Sequence, residues 1–342
     1  MRAVAALLLA AAPAFGLAQD HAAIARRAVD GHILPGYAAL SAETSALDAV
    51  AEAFCAGDAE RAALDAAYHE AVDAWMRVSH LRFGPSEAED RAFAIAFWPD
   101  ARGFTPRQIE GLIRDEDPVV DDPEALATVS VAARGLFALD YLLFDPERGG
   151  AEPGGYRCRL LTAIAGDLAA NAAAIEADWR EGYADIFLNL GPDNPVYATP
   201  DETTRQLFGS LATGLEATIE LRLSRPLGSL DSPRPRRAEA WRSGRPLRNV
   251  ALSLAALEDL AGTAFLPEIA PERAADLRAA FDRAETVAAR APRPMAEAVA
   301  DPARRIGIEA VATAVRDVRA ALAEDVGAAL GVTLGFNALD GD

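Results

Sequence analysis

Helix starts recur along this chain more plainly than any other signal. Thr199-Pro200-Asp201-Glu202 is a capping box with proline in the first turn. Asp122-Pro123 pairs an oxygen cap with a proline, and Pro246, Pro271 and Pro302 each stand ahead of an apolar-periodic run. Between these starts alanine is abundant and β-branched residues are sparse, which favours helix. An all-α fold follows. Helices are expected over residues 20–54, with a kink or break at Pro35-Gly36, and over 59–81, where Leu64, Ala67, Ala71, Trp75 and Val78 form the buried stripe. Further helices are expected from Thr105-Pro106 to about 114, over 123–144, over 156–179 and from Thr199 to about 223. The last three run over about 246–261, 271–290 and 302–330. An irregular stretch with Phe93, Phe97, Trp98 and Phe104 suits a loop packed on a bundle. Residues 182–198 read as loop, and 225–237 as Pro/Arg-rich and extended.

The 342 residues suffice for one large or two ordinary domains with real cores. The expected organisation is a signal peptide over 1–18, an N-terminal helical bundle over 19–190 and a C-terminal helical bundle over 191–342. The signal consists of Arg2, an apolar run over 3–12 and the small-residue site Gly16-Leu17-Ala18. Cleavage after Ala18 leaves Gln19 first, with no cysteine for a lipid anchor. The apolar run is too short to span a membrane and no other span is evident, so a soluble periplasmic protein with no direct membrane anchor is expected.

Charge and composition narrow the chemistry. The formal net charge of -19 disfavours nucleic acid and anionic membrane surfaces as partners. Every basic residue is arginine, so lysine-dependent nucleotide binding and Schiff-base chemistry are excluded. The four histidines, His21, His32, His69 and His80, all lie in the first quarter. They form no His-Glu-x-x-His helix, and no Gly-x-Ser-x-Gly elbow is present. Two cysteines, Cys55 and Cys158, exclude thiolate metal sites and c-type haem. In an oxidising compartment they are expected to form a disulfide.

Three constellations carry chemical potential. His69, Asp73 and His80 fall near one helix face, and are expected to face solvent; His32 precedes the kink, where side chains can line a gap. Arg234, Arg236, Arg237, Arg242, Arg245 and Arg248 crowd around Trp241. They suit either an anion site facing a cleft or an ion-pair belt docking one bundle on acids of the other, with the belt preferred. Asp100, Asp140, Asp340 and Asp342 are acids that could converge on a hard cation or serve as turn punctuation. Asp140 lies amid apolar residues of the 123–144 helix, where it is either solvated or a buried carboxylate with a partner. If buried, an arginine of the 234–248 group is the expected partner. Gly135, in the same helix, suggests close approach by neighbouring backbone.

Several stretches resemble one family. Leu81-Arg82-Phe83-Gly84-Pro85, Ile95-Ala96-Phe97-Trp98-Pro99-Asp100, Trp241-Arg242-Ser243 and the ending Gly335-Phe336-Asn337-Ala338-Leu339-Asp340-Gly341-Asp342 are similar to imelysins. These are exported bacterial proteins often labelled peptidases. Gly135-Leu136-Phe137-Ala138-Leu139-Asp140 sits where that family carries Gly-x-His-x-x-Glu, with Phe137 in place of the histidine and Asp140 in place of the glutamate. The resemblance implies two helical bundles with a cleft between them. It places Gly135, Phe137 and Asp140 in the family-motif site, with Arg82, Trp98, Trp241, Arg242, Ser243, Asn337 and Asp340 as cleft candidates. It also implies a non-enzymatic ligand- or metal-associated factor linked to iron uptake. Its partners would be a metal ion (iron or another divalent metal) or a small ligand, and periplasmic or membrane uptake components. A metallopeptidase-type hydrolase and a structural interaction module without ligand are the alternatives. No nucleophile–base pair can be named, so no catalytic residue is assigned.

Overall fold

The computed structural model describes residues 20–332. Residues 1–19, with the expected signal peptide, and residues 333–342, with Asn337, Asp340 and Asp342, lie outside the described residues. Within them there is no strand; Ser229 and Ser232 make one isolated bridge.

Helix α1 (His21–Ala28) is capped by Asp20, which accepts from Ala23 N. A π turn, Val29–Ile33, carries it directly into α2 (Leu34–Ala56). The kink expected at Pro35-Gly36 is therefore a widened turn just ahead of Pro35. Proline has no N–H to give to the preceding turn, and the wider turn lets the helix continue. After α3 (Arg61–Val78) come the short α4 (Arg91–Ile95) and α5 (Phe104–Asp115).

The helix expected over 123–144 is two helices, α6 (Pro123–Ala127) and α7 (Gly135–Phe144). Asp122 caps the first as expected, accepting from Glu124 N and Ala125 N. The break has a local cause. Gly135 takes φ +69, and a Cβ there would lie 2.2 Å from the carbonyl oxygen of Ala94 and 2.3 Å from that of Ile95. The close backbone approach is real, and it starts a helix instead of interrupting one. Helix α8 (Tyr156–Asp178) continues through a π turn, Trp179–Tyr183, into α9 (Ala184–Leu188). The loop expected from 182 thus begins after Leu188.

The second half opens with α10 (Pro200–Ala217), whose capping box joins Thr199 and Glu202. A π turn leads to the short α11 (Arg225–Leu227). Then follow α12 (Pro246–Leu260), α13 (Pro271–Arg290), α14 (Met295–Ala300), α15 (Pro302–Ala321) and α16 (Ala328–Leu330).

These helices make two bundles. In one, α2 packs against α3 and α8, with α7 on α8. Leu40, Leu47, Leu64, Leu160, Ile164 and Leu168 are fully buried there. In the other, α13 packs against α12 and α15, burying Leu254, Leu257, Leu277, Val311 and Val315. Each such side chain stabilises the fold by roughly 1.5–3 kcal/mol. The bundles meet where α12 lies on α3 and α1 on α10. Cys55 and Cys158 are joined, Cα to Cα at 5.6 Å, tying the end of α2 to the start of α8. One sequence expectation needs correcting. Tyr156–Leu188 and Pro246–Glu268 have the length and apolarity of a membrane span. Both nevertheless commit apolar faces to the bundle cores, through Leu160, Ile164, Leu168, Val250, Leu254 and Leu257.

Candidate binding cleft

The approach of residues 94–95 to Gly135 fixes what stands beside the first turn of α7. The chain runs on through Phe97 to Asp100, and Trp98 stacks on Phe137 with centroids 6.3 Å apart at 27°. Asp100 then turns the chain into α5, accepting from the N–H groups of Phe104 (2.8 Å) and Thr105 (2.9 Å). It is turn punctuation.

One turn beyond Phe137, Asp140 is 1% exposed. Its Oδ1 accepts from Ser243 Oγ (2.5 Å), Ser243 N (3.3 Å) and the Tyr68 hydroxyl (3.2 Å). Arg242 Nη1 stands 4.0 Å from Oδ2. Burial pushes the carboxyl above its ordinary range, while the Ser243 hydrogen bonds, the Arg242 charge and Tyr68 pull it back. Asp140 is thus the buried carboxylate, with an arginine of the 234–248 group beside it. The closer partner of Arg242 is Asp145, at 2.8 Å.

The arginine group divides. Arg242, Arg245 and Arg248 form a docking belt. Arg245 is 2% exposed; it and Arg248 both ion-pair with Asp73 of α3, and Arg245 Nη1 also donates to His69 Nδ1 at 2.9 Å. Burial alone would raise the Asp73 carboxyl, but hydrogen bonds from Arg248 and Arg245 hold it below the usual range. His69 is pushed down by burial and by the Arg245 charge. Behind the belt, Arg245 donates to Asn249, Asn249 to Glu239, and Arg222 pairs with Glu239 at 2.8 Å. The solvent-facing placement expected for Asp73 and His80 is therefore wrong: Asp73 is 7% and His80 6% exposed, and His69 is half-buried. The partners of Asp73 and His69 come from the other bundle, and His80 meets His32 of the turn ahead of α2, placements that helical spacing cannot reveal.

Arg236 and Arg237 belong to a different surface. Together with Arg225 they line a cavity of about 400 Å³ walled by Trp98, Phe137 and Trp241, with Asp140 at its base. Arg236 lies over Trp241 at 5.4 Å and Arg242 over the same ring at 4.6 Å. Of the cleft candidates, Trp98, Trp241 and Arg242 line this cavity, and Ser243 supports it through Asp140. Arg82 does not: it pairs with Glu87 at 2.5 Å and covers Phe93, because the turn at 84–86 brings those two residues back to it. Asn337 and Asp340 lie outside the described residues. Sequence reasoning missed Tyr68 and Arg225. The first shares the buried stripe of α3, where a hydroxyl-tipped ring calls for a polar partner; the second is the next arginine upstream of the 234–248 group.

The family model for imelysin (peptidase M75) matches residues 33–322. The chain belongs to the imelysin family. An imelysin-like protein from Psychrobacter arcticum 273-4 superposes with a TM-score of 0.77 at 20% identity, covering 92% of this chain and 97% of that one. A structure from Parabacteroides distasonis ATCC 8503, described as an iron-regulated protein A precursor, has a TM-score of 0.73 at 14% identity, covering 94% and 98%. Both have the same fold. Among curated proteins none matches.

The family motif, as this imelysin carries it, does not suit a metal ion. Phe137 offers no lone pair and stacks on Trp98. Asp140 already receives three donors on one oxygen and faces a guanidinium with the other. A cation there would have to displace those donors and approach Arg242. Among the described residues, no group of three or more His, Cys, Asp or Glu is arranged to hold a metal ion.

Proposed function

We propose that this imelysin is a non-enzymatic, exported binding protein whose ligand site is the cavity between the bundles, above Phe137 and Asp140. One observation carries the reading: the family-motif position holds an aromatic stack and a hydrogen-bonded carboxylate, yet it floors a cavity of about 400 Å³, within the range of small-molecule sites. A hydrolase needs an activated nucleophile or a metal-bound water. The polar groups at this floor are instead committed to one another. Placement in the periplasm accords with the sequence of residues 1–18 and with the Cys55–Cys158 bridge, a bond that persists in oxidising compartments. A link to iron is favoured by the neighbour described as iron-regulated, with iron arriving inside a chelate and not as a bare ion.

Protein prepared without chelator or affinity tag, tested against unstructured peptides and analysed for metals, decides between the readings. Neither turnover nor a stoichiometric bare metal is expected. Peptide cleavage that disappears in Asp140→Asn would overturn the proposal.

A further inference from the structure

The charges around the cavity are unequal in one respect: its acids, apart from Glu147 at the rim, are used and several of its arginines are not. Asp100 is spent on the start of α5. Asp140 is enclosed by Ser243 and Tyr68. Asp145 accepts from Arg242 Nε (2.8 Å) and from the N–H groups of Glu147 and Arg148. Glu147 is exposed at the rim. On the basic side, Arg242 answers Asp145 and Arg148 answers Glu110 at 2.7 Å. For Arg225, Arg236 and Arg237, no carboxylate of the described residues forms an ion pair.

The chain holds these three together. Helix α11, carrying Arg225, packs against the short turn Pro235–Arg237, and Arg234 N donates to the carbonyl of Pro226 at 2.9 Å. Prolines at 226, 233 and 235 limit how far this segment can rearrange. Arg225 is half-buried, and burial together with the neighbouring Arg237 charge lowers its pKa. Guanidinium groups remain charged under these conditions, so like charges are crowded at one wall with no internal counter-charge among the described residues. In a protein of net charge -19 with many acids to spare, such a wall is a local inversion of sign.

We infer that the cavity takes a small polyanion, a molecule with at least two carboxylate or phosphate groups, held by the guanidinium groups of Arg225, Arg236 and Arg237. This rests on the reading of the cavity as the ligand site. Guanidinium forks match both oxyanion types bidentately. Trp98 stacked on Phe137 lines the same cavity and offers an apolar face to the carbon skeleton or to an aromatic part of the ligand. A bare divalent cation is repelled by the same three charges, whereas a metal wrapped in a polycarboxylate presents an anionic surface.

Calorimetric titration of the full exported protein with sodium citrate, ferric citrate, inorganic phosphate and acetate tests the inference. Citrate, ferric citrate or phosphate is expected to bind one per chain, and acetate at least tenfold more weakly. Whichever of the three binds most tightly identifies the source. Arg237→Gln and Arg236→Gln, both at exposed positions, should each weaken binding about tenfold with the circular dichroism spectrum and Tm retained. Added salt should weaken it too. If none of the polyanions binds, or if acetate binds as well as citrate, the inference is overturned. A co-purifying uncharged molecule in the cavity would overturn it while leaving the binding reading in place; binding of citrate unaffected by either substitution would overturn it as well.

Discussion

His32 and His80, both of the first bundle, meet at its joint with the second, Nε2 to Nε2 at 3.1 Å. His32 Nδ1 is 2.6 Å from Asp259 of α12, so the pair ends on an acid of the other bundle. His80 packs near Gly214 of α10 and feels the charge of Arg222. Burial first, then His32 and Arg222, push its pKa well below the ordinary histidine value of 6.5. The folded protein therefore holds His80 neutral where the unfolded chain would bind a proton. This contribution is complete above about pH 6.5 and is lost as pH falls towards the depressed folded pKa. The Tm of the wild type should fall between pH 7.5 and 5, and that of His80→Gln should fall less. Equal slopes would mean that His80 is not the sensitive group.

Asp140 has the opposite sign. Its carboxyl is raised by burial, so the folded state retains a proton that the unfolded chain has released. Stability from this group is present below the ordinary carboxylate range and is lost as pH rises through the raised folded value. Asp140→Asn keeps an acceptor for Ser243 and Tyr68 and should remove that limb of the stability curve. Asp140→Ala leaves those donors unanswered and should cost roughly 3 kcal/mol. Thermal melts from pH 3 to 7 check both; identical curves for all three proteins would exclude the arrangement.

The docking belt depends on Asp73. With it removed, Arg245, 2% exposed, retains its charge with His69 and Asn249 as its remaining partners among the described residues. Asp73→Ala should destabilise the protein by about 3–5 kcal/mol, the range for stranding one member of a buried ion pair. Exposed pairs such as Arg114–Asp115 should contribute little, so Asp115→Ala serves as the control. Urea denaturation measures both.

Reduction of the Cys55–Cys158 bridge reopens a separation of 103 residues. In the chain-entropy account such a loop is worth up to about 4.7 kcal/mol, with the larger part felt through the unfolded state. Unfolding with and without reductant should show a fall of at least about 2 kcal/mol; an unchanged midpoint would contradict that contribution.

Much of the frame was legible in the sequence because its causes are local. The Thr199–Glu202 capping box, the Asp122-Pro123 start and the helix over 271–290 follow from neighbouring residues. The two cysteines left one pairing. What could not be read depends on distant partners. Apolar periodicity over 126–143 looked like one helix, whereas backbone at 94–95 forces Gly135 to positive φ and splits it. Asp73 and His80 looked solvated because Arg245 and Asp259, which reach them or their partner, lie far along the chain. By sequence the arginine group suits either a site or a belt. It is divided, since Arg245 and Arg248 turn towards α3 while Arg236 and Arg237 turn towards the cavity.

The central claim is that the cavity above Phe137 and Asp140 is where this imelysin holds its ligand. Ala101 is exposed at the rim of that cavity, so Ala101→Trp can fill it without disturbing either bundle core. Native mass spectrometry of protein taken directly from the exporting cell measures the claim. The account predicts a wild-type species heavier than the bare mature chain by the mass of a small molecule, and an Ala101→Trp species without it. A wild type at the bare mass, or the same adduct on both proteins, would contradict it.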